Sequence, residues 1–101
     1  MKALLISPEN QSIEAIEISD RQDIVSLIGF ETLASDEVGH AGDRLFFDEE
    51  CFLRGTTGRF QVDSLVPVSG KGVVVRVAED GVTLKDVDMD MEGLRGRLRF
   101  V

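Results

Sequence analysis

Half of the aromatic side chains in this sequence fall within one short stretch, residues 43–55, which reads DRLFFDEECFLRG. Three of the chain's six phenylalanines lie there, and the chain has no Trp or Tyr. Aromatic side chains bury large areas and dominate core energetics. We therefore expect a strand at 44–47, an acidic turn at 48–50 and a second strand at 52–53, all at the centre of the core.

Length and cysteine usage limit the class of protein. Its length of 101 residues predicts a single domain, and a chain of this size can build a hydrophobic core without disulfide bonds or structural metal ions. The single Cys51 can form no internal disulfide, which is typical of the reducing cytosol. The apolar run at 3–6 is too short for a signal peptide, and no run approaches the roughly 18 apolar residues that span a membrane. We expect a soluble cytoplasmic protein with no membrane partner.

Charge is unevenly distributed along the chain, whose formal net charge is −8. Residues 1–50 hold 12 acidic and 3 basic side chains, whereas residues 51–101 hold 7 acidic and 8 basic ones. Direct nucleic-acid binding is disfavoured because phosphate contacts need clustered Lys and Arg. The acidic half is either a protein-binding face or a solubilising surface, and the sequence leaves both interpretations open.

Alternating apolar residues predict strands along most of the chain. The first strand, at 2–7, is apolar on both faces and should be central in a sheet. Further strands are predicted at 12–18, 30–38, 60–66, 73–78 and 82–84.

One helix is predicted, at about 20–28. Ile24 and Ile28 belong to an apolar stripe at helical spacing, Ser19 or Asp20 can cap its start, and Gly29 suits its end. The predicted fold class is α+β: a single small domain over residues 1–101. It contains a mostly antiparallel, curled sheet of six to eight strands, one short helix and a C-terminal hairpin at about 82–101.

The C-terminal hairpin is predicted from alternating charge. Aspartates alternate with apolar residues, and arginines then follow at the same spacing: Asp86, Asp88, Asp90, Arg95, Arg97 and Arg99. A two-residue turn at Glu92-Gly93 would set Asp90 opposite Arg95, and each facing pair would contribute roughly 0.2–1 kcal/mol. The hairpin could also offer an edge for self-association.

Four features occur in a fixed order: an N-terminal strand pair, a capped helix, GDRLFFDEECFLRG at 42–55 and PVSGKGVVVRV at 67–77. In this order they resemble a family of small uncharacterised proteins from bacterial, phage and plasmid genomes, classed as a domain of unknown function. The resemblance covers about residues 1–78, and family members usually have glycine where this chain has Cys51. It implies a mobile-element context and no catalytic residue.

Because its carboxylates are clustered, the acidic turn is the first candidate for a catalytic or metal-binding site. Asp43, Asp48, Glu49 and Glu50, with His40 nearby, offer ligand types that Mg²⁺ or Ca²⁺ prefers. Consecutive acids in a turn point in different directions, however, so we expect the four acidic residues to form a binding surface. No metal, cofactor or catalytic residue is predicted.

These features favour a non-enzymatic accessory protein that binds another protein through an acidic surface. Such a surface can also mimic nucleic acid, because it suits the same basic grooves that attract phosphates. The alternative is a small metal-assisted hydrolase that uses the acidic turn, Asp43 and His40.

Overall fold

Nine β-strands and two short helices make up the chain in the computed structural model, which describes residues 1–101. The strands are β1 (Lys2–Ser7), β2 (Ser12–Glu17), β3 (Leu33–Glu37), β4 (Asp43–Asp48), β5 (Arg59–Val62), β6 (Val68–Ser69), β7 (Gly72–Val77), β8 (Leu84–Lys85) and β9 (Leu98–Phe100). The helices are α1 (Arg21–Ile28) and α2 (Met91–Arg95), and a 3₁₀ turn covers Cys51–Leu53. Neither helix has the length and apolar character that crossing a bilayer requires.

The strands form two sheets in which every pairing is antiparallel. The larger sheet has the order β2-β1-β7-β4-β3, with β8 joined to β7, and the smaller sheet has the order β6-β5-β9. The predicted fold class is confirmed: the chain is a small α+β domain made mostly of antiparallel sheet, with α1 as its principal helix.

The inner strands β1 and β7 are apolar on both faces. Leu4 and Ile6 on one face of β1 are buried, and so are Ala3 and Leu5 on the other. The valines at the centre of β7 are completely buried. A strand with no polar face is stable only where both faces are covered, so the predicted central position of the first strand is confirmed.

A different element covers each face of the larger sheet. On one face, Ile24 and Ile28 of α1 pack against a cluster that includes Phe46 of β4. On the other, Phe60 of β5 joins a second cluster that includes Val74 of β7. The domain therefore has three layers, namely helix, larger sheet and smaller sheet. Truncating a completely buried aromatic such as Phe60 to Ala would cost about 3–5 kcal/mol.

Helix α1 begins and ends where its sequence signals predict. Asp20 is the N-cap and accepts a hydrogen bond from the Asp23 N–H at 3.1 Å, while Asp23 accepts one from the Ser19 N–H at 2.7 Å. Asp23 therefore donates to the N-cap and accepts from the residue before it, an arrangement that resembles a capping box. Gly29 has φ +93° and donates its N–H to the Val25 carbonyl, a left-handed ending that glycine adopts without steric cost.

The predicted strand at 52–53 is wrong. Phe52 and Leu53 lie in the 3₁₀ turn, and 52% and 81% of their surface is exposed, so both are outside the core. Strand β4 pairs with β3 on one side and with β7 on the other. These two neighbours use both hydrogen-bonding edges of β4, which leaves no edge for a local partner.

The register predicted across Glu92-Gly93 is also wrong, because α2 occupies this segment. Asp90 is the N-cap of α2 and accepts a hydrogen bond from the Gly93 N–H at 2.7 Å. Aspartate is among the best N-cap residues, whereas Glu-Gly is a weak hairpin turn. The C-terminal segment does contribute strands, but β8 pairs with β7 and β9 pairs with β5.

The three C-terminal arginines have partners other than the predicted aspartates. Arg95 pairs with Glu92, Arg97 with Asp63, and Arg99 with the amide oxygen of Gln61. The last two partners lie in or beside β5. These contacts follow from the pairing of β9 with β5, which sets Gln61 opposite Arg99.

Candidate functional site

The predicted site residues are divided between the two ends of β4. Asp43 is the first residue of the strand and Asp48 the last, roughly 16 Å apart by the rise per residue. Their odd spacing also places them on opposite faces of the sheet. Glu49 and Glu50 follow Asp48 and are exposed, whereas His40 is exposed in the loop at the Asp43 end. No group of three or more His, Cys, Asp or Glu side chains is arranged to hold a metal ion.

Asp43 anchors a distant segment of the chain. Only 2% of its surface is exposed, and its two carboxylate oxygens accept hydrogen bonds from the N–H groups of Asp88 and Met89, each at 2.9 Å. Residues 86–90, hereafter the strap, connect β8 to α2. A buried carboxylate with both oxygens satisfied by backbone donors has a structural role, because it supplies acceptors that an irregular segment lacks.

Asp48 is also buried, and its carboxylate is the centre of a cluster of polar contacts with more exposed neighbours. Its carboxylate accepts hydrogen bonds from the Thr32 hydroxyl, the Arg54 Nε at 3.0 Å and the Glu50 N–H at 3.1 Å. Burial would raise the pKa of Asp48, but these hydrogen bonds and the charge of Arg54 outweigh burial and hold the pKa below 3.8. The Arg54 guanidinium also lies over the Phe30 ring, 4.3 Å from its centroid. The cluster ties the start of β3 to the end of β4.

Glu49 and Glu50 differ from the two aspartates in exposure, because both glutamates face solvent and both aspartates are buried. Glu50 forms an ion pair with Arg54 at 3.2 Å, and half of its side chain is exposed. Exposed pairs of this kind contribute little to stability, and they leave the carboxylate accessible. Within the predicted acidic surface, only these two glutamates face solvent.

A groove of about 650 Å³ opens between the β1–β2 pair and the chain that leads into α2. Its lining is mainly apolar, and the apolar side chains come from both walls: Ala3, Leu4, Ala15, Ile16, Val87, Met89 and Met91. Of these, Ile16, Val87, Met89 and Met91 are half-buried. The remaining lining residues are charged: Lys2, Glu17, Asp88, Asp90 and Glu92. This set of twelve residues is the acidic groove.

Carboxylates dominate the rim of the acidic groove. Four exposed acidic side chains face one exposed base, Lys2. The groove thus combines an apolar floor with a local net negative charge.

Backbone hydrogen bonds fix the strap that forms one wall of this groove. The Lys2 N–H donates to an Asp86 carboxylate oxygen at 2.8 Å, and the Val87 N–H donates back to the Lys2 carbonyl at 2.9 Å. Asp43 holds the next two residues of the strap. The apolar side chains of the strap consequently turn toward the core, where Val87 and Met89 pack against the cluster between the two sheets.

Sequence reasoning located the acidic residues of the strap but assigned them to a hairpin. The alternation of Asp86, Asp88 and Asp90 with apolar residues does separate an outer acidic face from an inner apolar face. No sequence signal connects this alternation to β2, since the contact depends on a fold that brings residues 15–17 beside residues 87–92.

Comparison of the chain with models of protein families, with curated proteins and with solved structures found no match.

Proposed function

We propose that this protein is a non-enzymatic interaction protein, and that its acidic groove binds a basic, partly apolar segment of another protein. The observation that supports this proposal is the combination of apolar floor and acidic rim in a single groove. An acidic surface alone would account only for solubility. An apolar groove with charges of one sign around it favours a partner segment that presents apolar side chains flanked by Lys or Arg.

Met89 and Met91 supply the adaptable part of the floor. Methionine is unbranched and polarizable, so it can adjust to apolar side chains of different shapes. The opposite wall, Ala15 and Ile16 of β2, belongs to a regular strand at the edge of the larger sheet. A rigid strand wall and adaptable methionine side chains in the floor suit an interaction in which the partner's charge sets orientation and its apolar residues supply affinity.

The rim should contribute mainly to the rate of association. Charge complementarity steers encounter and can raise an association rate well above that of neutral surfaces, with strong dependence on ionic strength. Capture at low salt and release at high salt are therefore expected. If the partner is itself a nucleic-acid-binding protein, the groove acts by mimicry, and duplex DNA should compete with it.

The proposal places the protein in the cytoplasm, as its single cysteine favours. The mobile-element context implied by the family resemblance makes host lysate the appropriate source of the partner. The hydrolase alternative has no supporting geometry, because Asp43 and Asp48 are used at opposite ends of β4. Self-association through the C-terminal segment at about 82–101, whose strand β9 lies at an edge of the smaller sheet, stays a prediction that light scattering tests.

The test is an affinity capture from host lysate with matched charge variants. The groove variant carries Glu17→Lys and Asp88→Lys, two rim positions. The control carries Glu14→Lys and Glu31→Lys, which make the same change in net charge at exposed positions outside the groove. We expect the groove variant to lose a partner that the wild type and the control retain at low salt.

Two results would contradict the proposal. Equal loss in both variants would show that overall charge, and not the groove, is responsible for capture. Retention in both variants would place the binding surface elsewhere. For an identified partner, Met91→Ala should weaken binding with little change in the association rate, since it alters the floor and leaves the rim charge unchanged.

A further inference from the structure

A second groove, which shares no lining residue with the acidic groove, contains several cationic side chains. It measures about 720 Å³ and lies between the β3–β4 loop and the turn that joins β7 to β8. Arg44, Arg76 and Lys85 line it, and exposed His40 lies at the same groove. None of the three permanent cations has a carboxylate within 4.0 Å, although the chain has 19 acidic residues. This set of side chains is the cationic groove.

The register of β7 and β8 places two of these cations directly opposite one another. Arg76 pairs with Lys85 across the two strands, so their side chains lie on the same face of the sheet. Like charges in directly opposed positions destabilise a sheet. Asp43 lies opposite Arg76 on its other side, but both of its carboxylate oxygens accept hydrogen bonds from the strap. A bound anion between Arg76 and Lys85 would therefore reduce their mutual repulsion.

Hydrogen bonds orient both arginines while leaving donors free. The Arg76 Nε donates to the Asp86 carbonyl at 3.1 Å, which leaves its two terminal nitrogens without a partner in the chain. The Arg44 Nε donates to the Ser35 hydroxyl at 2.9 Å, and one terminal nitrogen donates to the Ser35 carbonyl at 3.0 Å. The second terminal nitrogen of Arg44 is free. Oriented guanidinium groups with free donors are the usual means of recognising planar or tetrahedral oxyanions.

Gly42 allows the Arg76 side chain to lie across the groove. A Cβ at this position would sit 3.4 Å from the Arg76 Cγ and 3.1 Å from the Val77 carbonyl oxygen, and the φ of Gly42 is +97°. Glycine therefore suits both the close approach and the backbone conformation.

The acidic side chains around the cationic groove form no ion pair with its cations. Glu37 and Glu79 line the groove and are exposed, and neither approaches a cation within 4.0 Å. Asp80, in the adjoining turn, accepts hydrogen bonds from the N–H groups of Val82 and Thr83. A hydrogen bond from the Thr83 hydroxyl holds the pKa of Asp80 low, and charge attraction from Lys85 also helps, so Glu37, Glu79 and Asp80 equal the three permanent cations in number. None of these carboxylates forms an ion pair with a cation, which leaves the guanidinium and ammonium donors open to a ligand.

We propose that the cationic groove binds the phosphate group of a phosphomonoester. A phosphate dianion bears enough charge to satisfy two opposed cations, and its oxygens accept the free guanidinium donors. The groove, of about 720 Å³, is larger than an inorganic phosphate requires, which leaves room beside the two cations for the organic part of the ligand.

The test measures binding of phenyl phosphate and of inorganic phosphate to the full chain by amide chemical-shift titration at constant ionic strength, with chloride as the reference anion. Phenyl phosphate should bind and shift the amides around Arg76 and Lys85. Lys85→Ala should weaken binding about tenfold, the loss expected from removing one charged contact. Lys71→Ala, which removes an exposed lysine outside the groove, is the matched control and should bind as the wild type does.

The apo protein provides a second, independent readout. Without anion, Lys85→Ala should be at least as stable as the wild type, because the substitution removes the repulsion with Arg76. Absence of phosphate-specific shifts, or equal weakening by Lys85→Ala and Lys71→Ala, would overturn the proposal. Equal affinity for inorganic phosphate and phenyl phosphate would overturn the assignment of a phosphomonoester and support free phosphate as the ligand.

Discussion

The strap over the acidic groove should depend on one buried carboxylate, that of Asp43. Asp43→Asn keeps the shape of the side chain but replaces one acceptor oxygen with an amide that can only donate. That amide would face a backbone N–H of the strap, at Asp88 or Met89, which lies 2.9 Å from the carboxylate in the native protein. One of the two hydrogen bonds is therefore lost, and two donors are placed in contact.

The expected loss of stability follows from the type of hydrogen bond that Asp43→Asn removes. A hydrogen bond to a charged group contributes about 1.5–3 kcal/mol, and an unpaired buried donor costs about 1–3 kcal/mol. These terms overlap, so we expect Asp43→Asn to lower the free energy of unfolding by about 2–3 kcal/mol, out of about 5–15 kcal/mol for a domain of this kind. In a domain of 101 residues this corresponds to a fall in Tm of about 10–20 °C.

Urea denaturation gives the change in stability, and amide hydrogen exchange tests its location. The amides of Asp88 and Met89 should lose protection more than those of β1 and β7. Asp88→Asn is the matched control, because it makes the same chemical change at an exposed carboxylate of the strap and should alter stability by no more than about 0.5 kcal/mol. An Asp43→Asn protein as stable as the control, with both amides still protected, would refute the anchoring role.

Three further predictions test the packing, the acid response and the helix cap. Gly72→Ala should lower the free energy of unfolding by about 1–3 kcal/mol, because the added Cβ would lie 2.7 Å from the Cζ of Phe60; Gly96→Ala, whose Cβ would meet no atom closer than 3.6 Å, should leave the urea midpoint almost unchanged. Since its pKa lies below 3.8 in the folded state, Asp48 stabilises the fold above its unfolded-state pKa, and this contribution is lost as the pH falls through the folded-state value. As the pH falls through and below the unfolded-state pKa of about 3.9, the wild type should therefore lose stability more steeply than Asp48→Asn, and parallel curves in urea would contradict this assignment. Asp20→Ala should cost about 0.5–2 kcal/mol by removing the N-cap of α1, and an unchanged thermal midpoint would show that the cap contributes nothing.

Local signals in the sequence were sufficient for α1 and for the inner strand β1. Asp20, Asp23 and Gly29 act on neighbouring backbone groups, so their effect does not depend on the rest of the fold. The apolar residues on both faces of β1 likewise require two covering layers, whichever elements supply them. These predictions succeeded because the interactions concerned are either short in sequence separation or independent of the partner's identity.

Local signals were not sufficient for the two acidic segments, the acidic turn and the strap. The acidic turn was expected to be one surface, yet Asp43 and Asp48 are buried and bind different partners, the strap and Arg54. A carboxylate in a sequence is compatible with solvent, with an ion pair or with backbone donors. The choice depends on which donors the fold brings near it.

Composition and periodicity by themselves determined the class of the domain, its principal helix and the two-faced character of the strap. Tertiary structure alone decided how the strands pair and where each charge lies. Strand pairing is a competition among all available edges, and β4 is satisfied by β3 and β7, which leaves Phe52 exposed. The two grooves also depend on this pairing. They are bordered by β8 and by the strap, and these segments are held by strands of the larger sheet.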